Sequence, residues 1–339
     1  MSETVYVKDV VKALDVITGG RVVKTFADIT GGNHFVTMKT SNIPGKSVME
    51  LPGLVWGCME AEVKCLAVLM MTLTENAIEL AAATGVDALV VHHPIAEGAN
   101  SGGVTLKNYL GLYNLSVFEL HEAFHGLHPG IAWLHGSIAH KANIAFGGTP
   151  GKIVWYGEAM PEVPTLGAMI NRIEDIMGTY MEEDMLEKEK SVRCCNSLCE
   201  TTLSARAKIF LGKPESPLGK TITIFPHTGF GPEDLEAAYK EYPADTLVAN
   251  ISRPLPDSQL VQKARELGMN LVAGSSHAME IFENGVPLAY AIKYQLPDLD
   301  VHIFRERMVN IPLESVGTDA LKEYGKRMAK GYLPRPKVE

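Results

Sequence analysis

Histidine dominates the chemistry open to this 339-residue chain. Of its eleven histidines, His92 and His93 are adjacent, and His121, His125, His128, His135 and His140 fall within twenty residues. A neutral imidazole offers a lone pair without first losing a proton, which makes histidine the commonest metal ligand near pH 7. Adjacent residues at the tip of a strand diverge, so His92 and His93 would each hold one of two neighbouring ions instead of chelating a single one. His277 and Glu280, three residues apart, share a helix face, and the two oxygens of a carboxylate can serve either ion or bridge both. Nitrogen and oxygen donors without thiolate suit Zn, Mn, Fe or Co. The expected cofactor is two divalent transition-metal ions per chain.

The elements around these residues form strand–helix alternations. Val5 to Thr18 carries a helical apolar stripe ended by Gly19-Gly20. CLAVLMM from Cys65, AIELAAATG closed by Gly85, and DALVVHHP then read as strand, helix and strand, a βαβ unit with parallel strands. His92-His93-Pro94 ends the second of these strands, and His121-x-x-x-His125 follows the strand Leu115 to Leu120. TITIFPHTG, DTLVAN and MNLVAG are further strands alternating with helices, and His277 and Glu280 follow the last of them. In open α/β sheets ligands bind outside the carboxyl ends of strands, so three His-bearing segments point to one rim. His135 and His140 read as surface or packing residues of a helix, while His34, His227 and His302 stand alone and receive no role.

The expected architecture is α/β, with two lobes of largely parallel or mixed sheets covered by helices and the metal site at strand C-terminal ends between them. Residues 1–155 form the N-terminal lobe, 156–213 a connecting helix and acidic insertion, and 214–339 the C-terminal lobe, the two lobes making one composite domain. Glu174 to Ser191 carries seven acidic residues and reads as a solvated insertion or exposed helix.

Composition narrows the function classes. Hydrophobic residues make up 46% and charged residues 21%, as in a globular α/β protein. The net charge of −9 and the lack of a long basic run would repel a nucleic-acid backbone. The N-terminus lacks the basic and apolar regions of a signal peptide, and the apolar run Cys65 to Met71 is too short to span a bilayer. A cytoplasmic protein is expected, with its five cysteines as free thiols. Cys194, Cys195 and Cys199 lack the spacing of a zinc knuckle.

The chain resembles the NGG-interacting-factor-three-like proteins, also labelled type 2 GTP cyclohydrolase I. The resemblance rests on VYVKDVVKALDVI, on GLVWGCMEAEVKCLAVLMMTLTENAIELAAATGVDALVVHHP, on HEAFH followed by HPGIAW, and on AGSSHAMEIFENGVPLAYAIKYQLPDLDVHIF. It covers most of the chain outside roughly 20–46, 174–213 and the tail after Arg305. It implies a two-metal centre in a ring-shaped homo-oligomer, with a hexamer as the expected size, and carries the family's two metal-binding histidines onto His92 and His93. His125 stands where the family usually has an aspartate ligand, and His121 matches the histidine four residues before it. Because the family separates its last His and Glu by four residues, Ser276 occupies the usual histidine position and His277 must reach from the next one. Thr72 stands near a position where the family often carries an aspartate.

Two close ions can bridge a water and lower its pKa so that hydroxide is available near pH 7. The expected activity is therefore that of a dinuclear metal-dependent hydrolase using a metal-bridged hydroxide on a small polar, cyclic amide, amidine or nucleotide-like substrate. His121 or His128 would act as general acid or base beside the metals, or orient a ligand. No phosphate-cradling P-loop signature is present. The competing expectation is a non-catalytic protein that binds or delivers metal or acts as a partner-binding scaffold.

Overall fold

A computed structural model describes residues 3–40, 47–93, 106–149 and 151–333. Pro94 of the HHP sequence lies outside the described residues. Helix α1 (Val7–Ile17) buries Val7, Val10, Ala13 and Leu14 on the stripe its periodicity predicts. Within the stretch that periodicity leaves unassigned, β1 (Thr37–Thr40) and β2 (Ser47–Glu50) pair antiparallel. There follow β3 (Gly53–Trp56), β4 (Cys65–Leu69), α2 (Glu75–Thr84), β5 (Ala88–Val91), α3 (Leu106–Tyr113) and β6 (Ser116–Glu119). Thr74 caps α2 by accepting the Ala77 N–H, and Gly85 ends it at a φ of 74°, where a side chain would be strained.

The chain continues through α4 (Gly130–Leu134), β7 (Ser137–Asn143), β8 (Val154–Ala159), α5 (Leu166–Met177), α6 (Thr179–Arg193), β9 (Cys199–Glu200) and α7 (Thr201–Ser204). It then forms β10 (Lys208–Leu211), β11 (Lys220–Ile224), α8 (Pro232–Glu241), β12 (Thr246–Ile251), α9 (Gln259–Glu266) and β13 (Asn270–Ser276). The last elements are α10 (Val286–Gln295), β14 (Asp300–Phe304), β15 (Val309–Asn310) and α11 (Asp319–Gly331).

The fold is α/β with mixed sheets covered by helices. One compact unit, Met1–Ile173 with Ala207–Glu306, contains both large sheets. The five-stranded sheet has the order β14-β4-β5-β6-β3, the first four strands parallel and β3 antiparallel to β6. Every residue of β4, β5 and β6 is buried, which explains why β4 and β5 read as continuous apolar runs instead of alternating ones. The six-stranded sheet has the order β10-β13-β12-β11-β8-β7, with a parallel centre, β13, β12 and β11, and antiparallel flanks. Val68, Val90 and Phe118 pack with α1 and α10 in one core, and Ile222, Leu247 and Leu271 pack with α8 and α9 in another.

The second unit comprises Glu174–Arg206 and Arg307–Glu339. Its acidic segment is helical: Arg193 and Arg307 both reach Glu189, at 2.9 and 3.0 Å. β9 pairs antiparallel with β15, and Leu186, Cys195 and Leu198 form a small core. Cys194 and Cys199 are exposed, and the three cysteines form none of the potential metal-binding groups among the described residues.

Of the two histidines read as surface or packing residues of a helix, His135 is a packing residue and the assignment of His140 is corrected. His135 is fully buried just after the short α4, its Nδ1–H donating to the Ile131 carbonyl at 2.7 Å. His140 lies in β7 and not on a helix. β7 is an edge strand with little burial, so its ladder to β8 defines it where apolar periodicity does not.

Candidate metal centre

The parallel strands of the two sheets deliver the chemistry-bearing side chains at their C-terminal ends. His92 and His93 follow β5, His121 and His125 lie in the turn after β6, and His277 and Glu280 follow β13. The polypeptide from His277 is a 3₁₀ turn (His277–Met279), then a π-helical turn (Ile281–Gly285), then α10 with Pro287 in its first turn. Proline is tolerated in a first turn, and π-turns recur where a side chain must be re-aimed at a site. The change of pitch accounts for an i,i+3 His–Glu pair that still reaches the cluster.

Three groups of side chains offer ligand atoms lying mutually within 4.8 Å: His92, His121 and His125; His92, His93 and Glu280; and Glu50, His121 and Glu122. They overlap into one buried cluster that could hold metal ions. His92 is completely buried, and its Nδ1–H donates to the Leu120 carbonyl at 2.9 Å. That bond fixes the tautomer and aims the Nε2 lone pair into the cluster. The two oxygens of Glu280 face different partners. Oε1 lies 3.3 Å from His92 Nε2 and 3.8 Å from His125 Nε2, while Oε2 lies 3.8 Å from both His93 Nε2 and His277 Nε2. His277, about a quarter exposed, stands at the rim with its ring 5.2 Å from that of His93. Ser276 Oγ is buried without a hydrogen-bond partner, and neither Ser276 nor His277 belongs to any of the ligand groups, His277 reaching the cluster through Glu280 at 3.8 Å.

The electrostatics fit a cation. Burial works against the Glu280 carboxylate, yet His92 and the other surrounding imidazoles hold its pKa well below the usual range. Its Oε2 is nevertheless buried with no hydrogen-bond donor. An ionised oxygen left unpaired in a dry site is costly, and a cation there would satisfy it. Burial strips the proton from His92, His121 and His277, taking His121 to about 3 and His277 to about 4. These rings therefore keep lone pairs available. His125 behaves oppositely: against burial, hydrogen bonds to Glu122 and Glu280 raise it to about 10.

Two carboxylates and one histidine in the site have no counterpart in the sequence reading. Glu50, completely buried at the end of β2, accepts the Glu122 N–H at 2.9 Å and lies 3.3 Å from His121 Nδ1. Glu122 lies 3.3 Å from His125 Nδ1. Its place inside HEAFH was the available signal, whereas nothing local marks Glu50. His227, given no role from the sequence, follows β11 and brings its ring to 4.8 Å from that of His277. Its Nδ1 and backbone N–H both meet Ser252 Oγ, at 3.0 and 2.8 Å. Just before Ser252, Ile251 adopts a φ of 63°, a rare conformation for a β-branched residue and a mark of local strain at a site. His128 belongs to none of the ligand groups; its Nδ1 accepts the Gly130 N–H at 3.0 Å and its ring lies against Phe124.

An α/β fold of paired mixed sheets with a His/Glu cluster at strand ends defines the structural class. The chain shares this fold with reduced HcgD from Methanocaldococcus jannaschii, at a TM-score of 0.57 and 14% identity over 89% of this chain and 99% of that one. It is similarly close to protein ybgI, described as of unknown function, at a TM-score of 0.53 and 15% identity over 91% and 99%. A Bacillus cereus protein related to NIF3 matches at a TM-score of 0.52 and 11% identity over 90% and 97%. No protein-family model and no curated protein matches the sequence. At such identities the likeness establishes the fold, and it supports the resemblance to NGG-interacting-factor-three-like proteins read from the sequence. Among the described residues no helix is long and apolar enough to cross a membrane.

Proposed function

We propose that this chain is a dinuclear metal-dependent hydrolase acting on a small polar, cyclic amide, amidine or nucleotide-like substrate. The position of Glu280 carries the reading, because its two oxygens face two different pairs of histidines. His92, His125 and Glu280 Oε1 would hold one ion, and His93, His277 and Glu280 Oε2 the other. When bound, the ions would supply Lewis acidity toward a carbonyl or phosphoryl oxygen and acidify water.

The protein's own groups position and protonate. The Leu120 carbonyl orients His92, while Glu50 and Glu122 orient His121 and His125. Burial lowers His121 to about 3, which keeps its lone pair free to ligate and makes it a weak base near neutrality, so of the two histidines expected to move protons it is better suited to ligate or to orient a ligand. His128, with its Nδ1 engaged by Gly130, has Nε2 left for proton transfer at the side of the cluster. The family resemblance supports a cytoplasmic homo-oligomeric ring, with a hexamer as the specific expectation.

Elemental analysis of protein purified without a metal-affinity tag, for wild type and His125→Ala, tests the reading. Two equivalents per chain in wild type and fewer in the variant are expected, followed by turnover of a cyclic amide or nucleotide with that metal. Absence of transition metal even after soaking would sink it. Readily exchanged metal with no turnover on any substrate class would instead favour a metal-delivery protein.

A further inference from the structure

A second set of metal-ligating side chains lies away from the His/Glu cluster, at the edge of the five-stranded sheet. β14 runs parallel to β4, with Asp300 opposite Cys65 and His302 opposite Ala67. Residues two apart on a strand share a face, and so do ladder partners, so Cys65, Asp300 and His302 project together. The small Ala67 beside His302 leaves the imidazole free to lean toward Cys65. One ligand atom from each of the three, a thiol sulfur, a carboxylate oxygen and an imidazole nitrogen, lies within 4.8 Å of the other two. His302 Nε2 is 3.0 Å from Asp300 Oδ2.

These spacings suit a small ion. Ligands 2.0 to 2.3 Å from a tetrahedral zinc are separated by about 3.3 to 3.8 Å. The two half-exposed or more exposed side chains, His302 and Asp300, can close the remaining gap by small rotations, whereas Cys65 is buried in the sheet and fixed. Its backbone is anchored as well: Asp87 Oδ2 accepts the N–H groups of Lys64 and Cys65 at 2.8 and 3.0 Å. Burial, then the negative charges of Asp300 and Asp87, push the Cys65 thiol up, so without a cation it stays protonated. A divalent ion reverses that balance, and its binding would release the thiol proton to solvent.

We propose that Cys65, Asp300 and His302 form a mononuclear site for a borderline-soft divalent ion of the zinc class, with a fourth position open to water. The mixed S, N, O donor set distinguishes it from the thiolate-free central cluster and selects against Mg and Ca. Its place in the fold suggests its effect. Cys65 and Asp300 belong to strands distant in sequence, so an ion here would clip β14 onto β4 and stabilise the sheet edge. The proposal is independent of the hydrolase reading.

Cobalt(II) titration of the full chain separates this site from the central one, because only a thiolate ligand produces the near-ultraviolet sulfur-to-cobalt charge-transfer band. Wild type is expected to develop the band, Cys65→Ser and His302→Ala to lose it, and His125→Ala to keep it. His302 is exposed, so its replacement leaves the fold intact, and circular dichroism of each variant verifies this. A wild type without the band would overturn the proposal. So would a band that survives in either Cys65→Ser or His302→Ala, which would place the thiolate elsewhere or remove the imidazole from the site.

Discussion

His92 and His125 face each other through their Nε2 atoms at 2.8 Å inside a fully buried pocket. With no ion between them, two imidazole nitrogens approach so closely when one carries a proton and the other a lone pair. The Nδ1–H of His92 is committed to the Leu120 carbonyl, so His92 accepts and His125 donates. The Nε2 proton of His125, directed at His92 and Glu280 while Glu122 accepts from Nδ1 and stabilises the charged ring, therefore occupies the place that a metal ion would take in a bound state.

Metal uptake should then depend on pH. Because His125 must lose its proton to ligate, and its pKa stands at about 10, apparent affinity should rise about tenfold per pH unit through the neutral range. Calorimetric titration in buffers of different ionisation enthalpy measures the proton released. Glu122→Gln, which removes one of the groups holding that proton, should reduce the release at neutral pH. Binding with no proton release would show that His125 is not a ligand.

The metal-free protein should lose stability as pH rises above 6.5. His125 is raised from 6.5 to about 10 in the fold, so its contribution is complete below 6.5 and disappears as pH rises through 10. Glu283 is raised by burial, and by Glu280, from 4.5 to about 8, so its contribution is complete below 4.5 and is lost as pH rises through 8. The lowered values of His121, His135 and His277 cost stability only as pH falls below 6.5 toward 4 or 3. Each differential proton changes stability by about 1.4 kcal/mol per pH unit where it is fully effective. Thermal unfolding in chelator from pH 6.5 to about pH 9 should show a falling Tm, and a flat or rising one would contradict these assignments.

Glu283 lies in a buried network whose polarity can be tested by substitution. Ser275 Oγ contacts both Glu283 Oε1 and Asn250 Oδ1, the latter at 3.0 Å, and Asn250 Nδ2 donates to Glu283 Oε2 at 3.0 Å; because one hydroxyl has one proton and Glu283 is raised to about 8, a protonated Glu283 would donate to Ser275 and free that hydroxyl for Asn250. A carboxamide reproduces this pattern, so Glu283→Gln should change stability by no more than about 1 kcal/mol and remove part of the pH slope. Glu283→Leu would strand both neighbours and should cost about 2–4 kcal/mol. Denaturant unfolding of the two variants at pH 7 distinguishes them; equal losses would refute the network.

Gly274 in β13 is predicted to tolerate no side chain. A Cβ there would stand 2.6 Å from His135 Nε2 and 2.7 Å from Asn250 Oδ1, both buried and both hydrogen-bonded. Gly274→Ala should destabilise by about 1–3 kcal/mol, the usual cost of overpacking, and should also reduce bound metal because β13 carries His277 and Glu280. An alanine variant with wild-type stability and metal content would show that the strand can shift away.

Much of this architecture is legible in the linear chain because it depends on local rules. The apolar runs from Cys65 and from Ala88, the Thr74 cap and the Gly85 stop specify a parallel strand–helix–strand unit, and such a unit places His92 at a carboxyl end whatever surrounds it. The sequence pairs His277 with Glu280 by a similar rule, since residues three apart in a helical turn share a face, and the structure brings Nε2 of one to 3.8 Å from Oε2 of the other. Local pattern misleads where it is weak: edge strand β7 shows little apolar alternation, so His140 reads as helical although it lies in a strand. What lay beyond any local rule is the convergence of distant segments. Glu50 reaches His121 only because β2 folds beside the turn after β6, and His227 meets His277 because β11 and β13 end on the same rim of one sheet. Likewise His302 meets Cys65 only because β14 docks parallel to β4. Periodicity and capping determine which residues form each strand and helix; the order in which strands pair, set by burying two apolar cores at once, decided which histidines and carboxylates share a site.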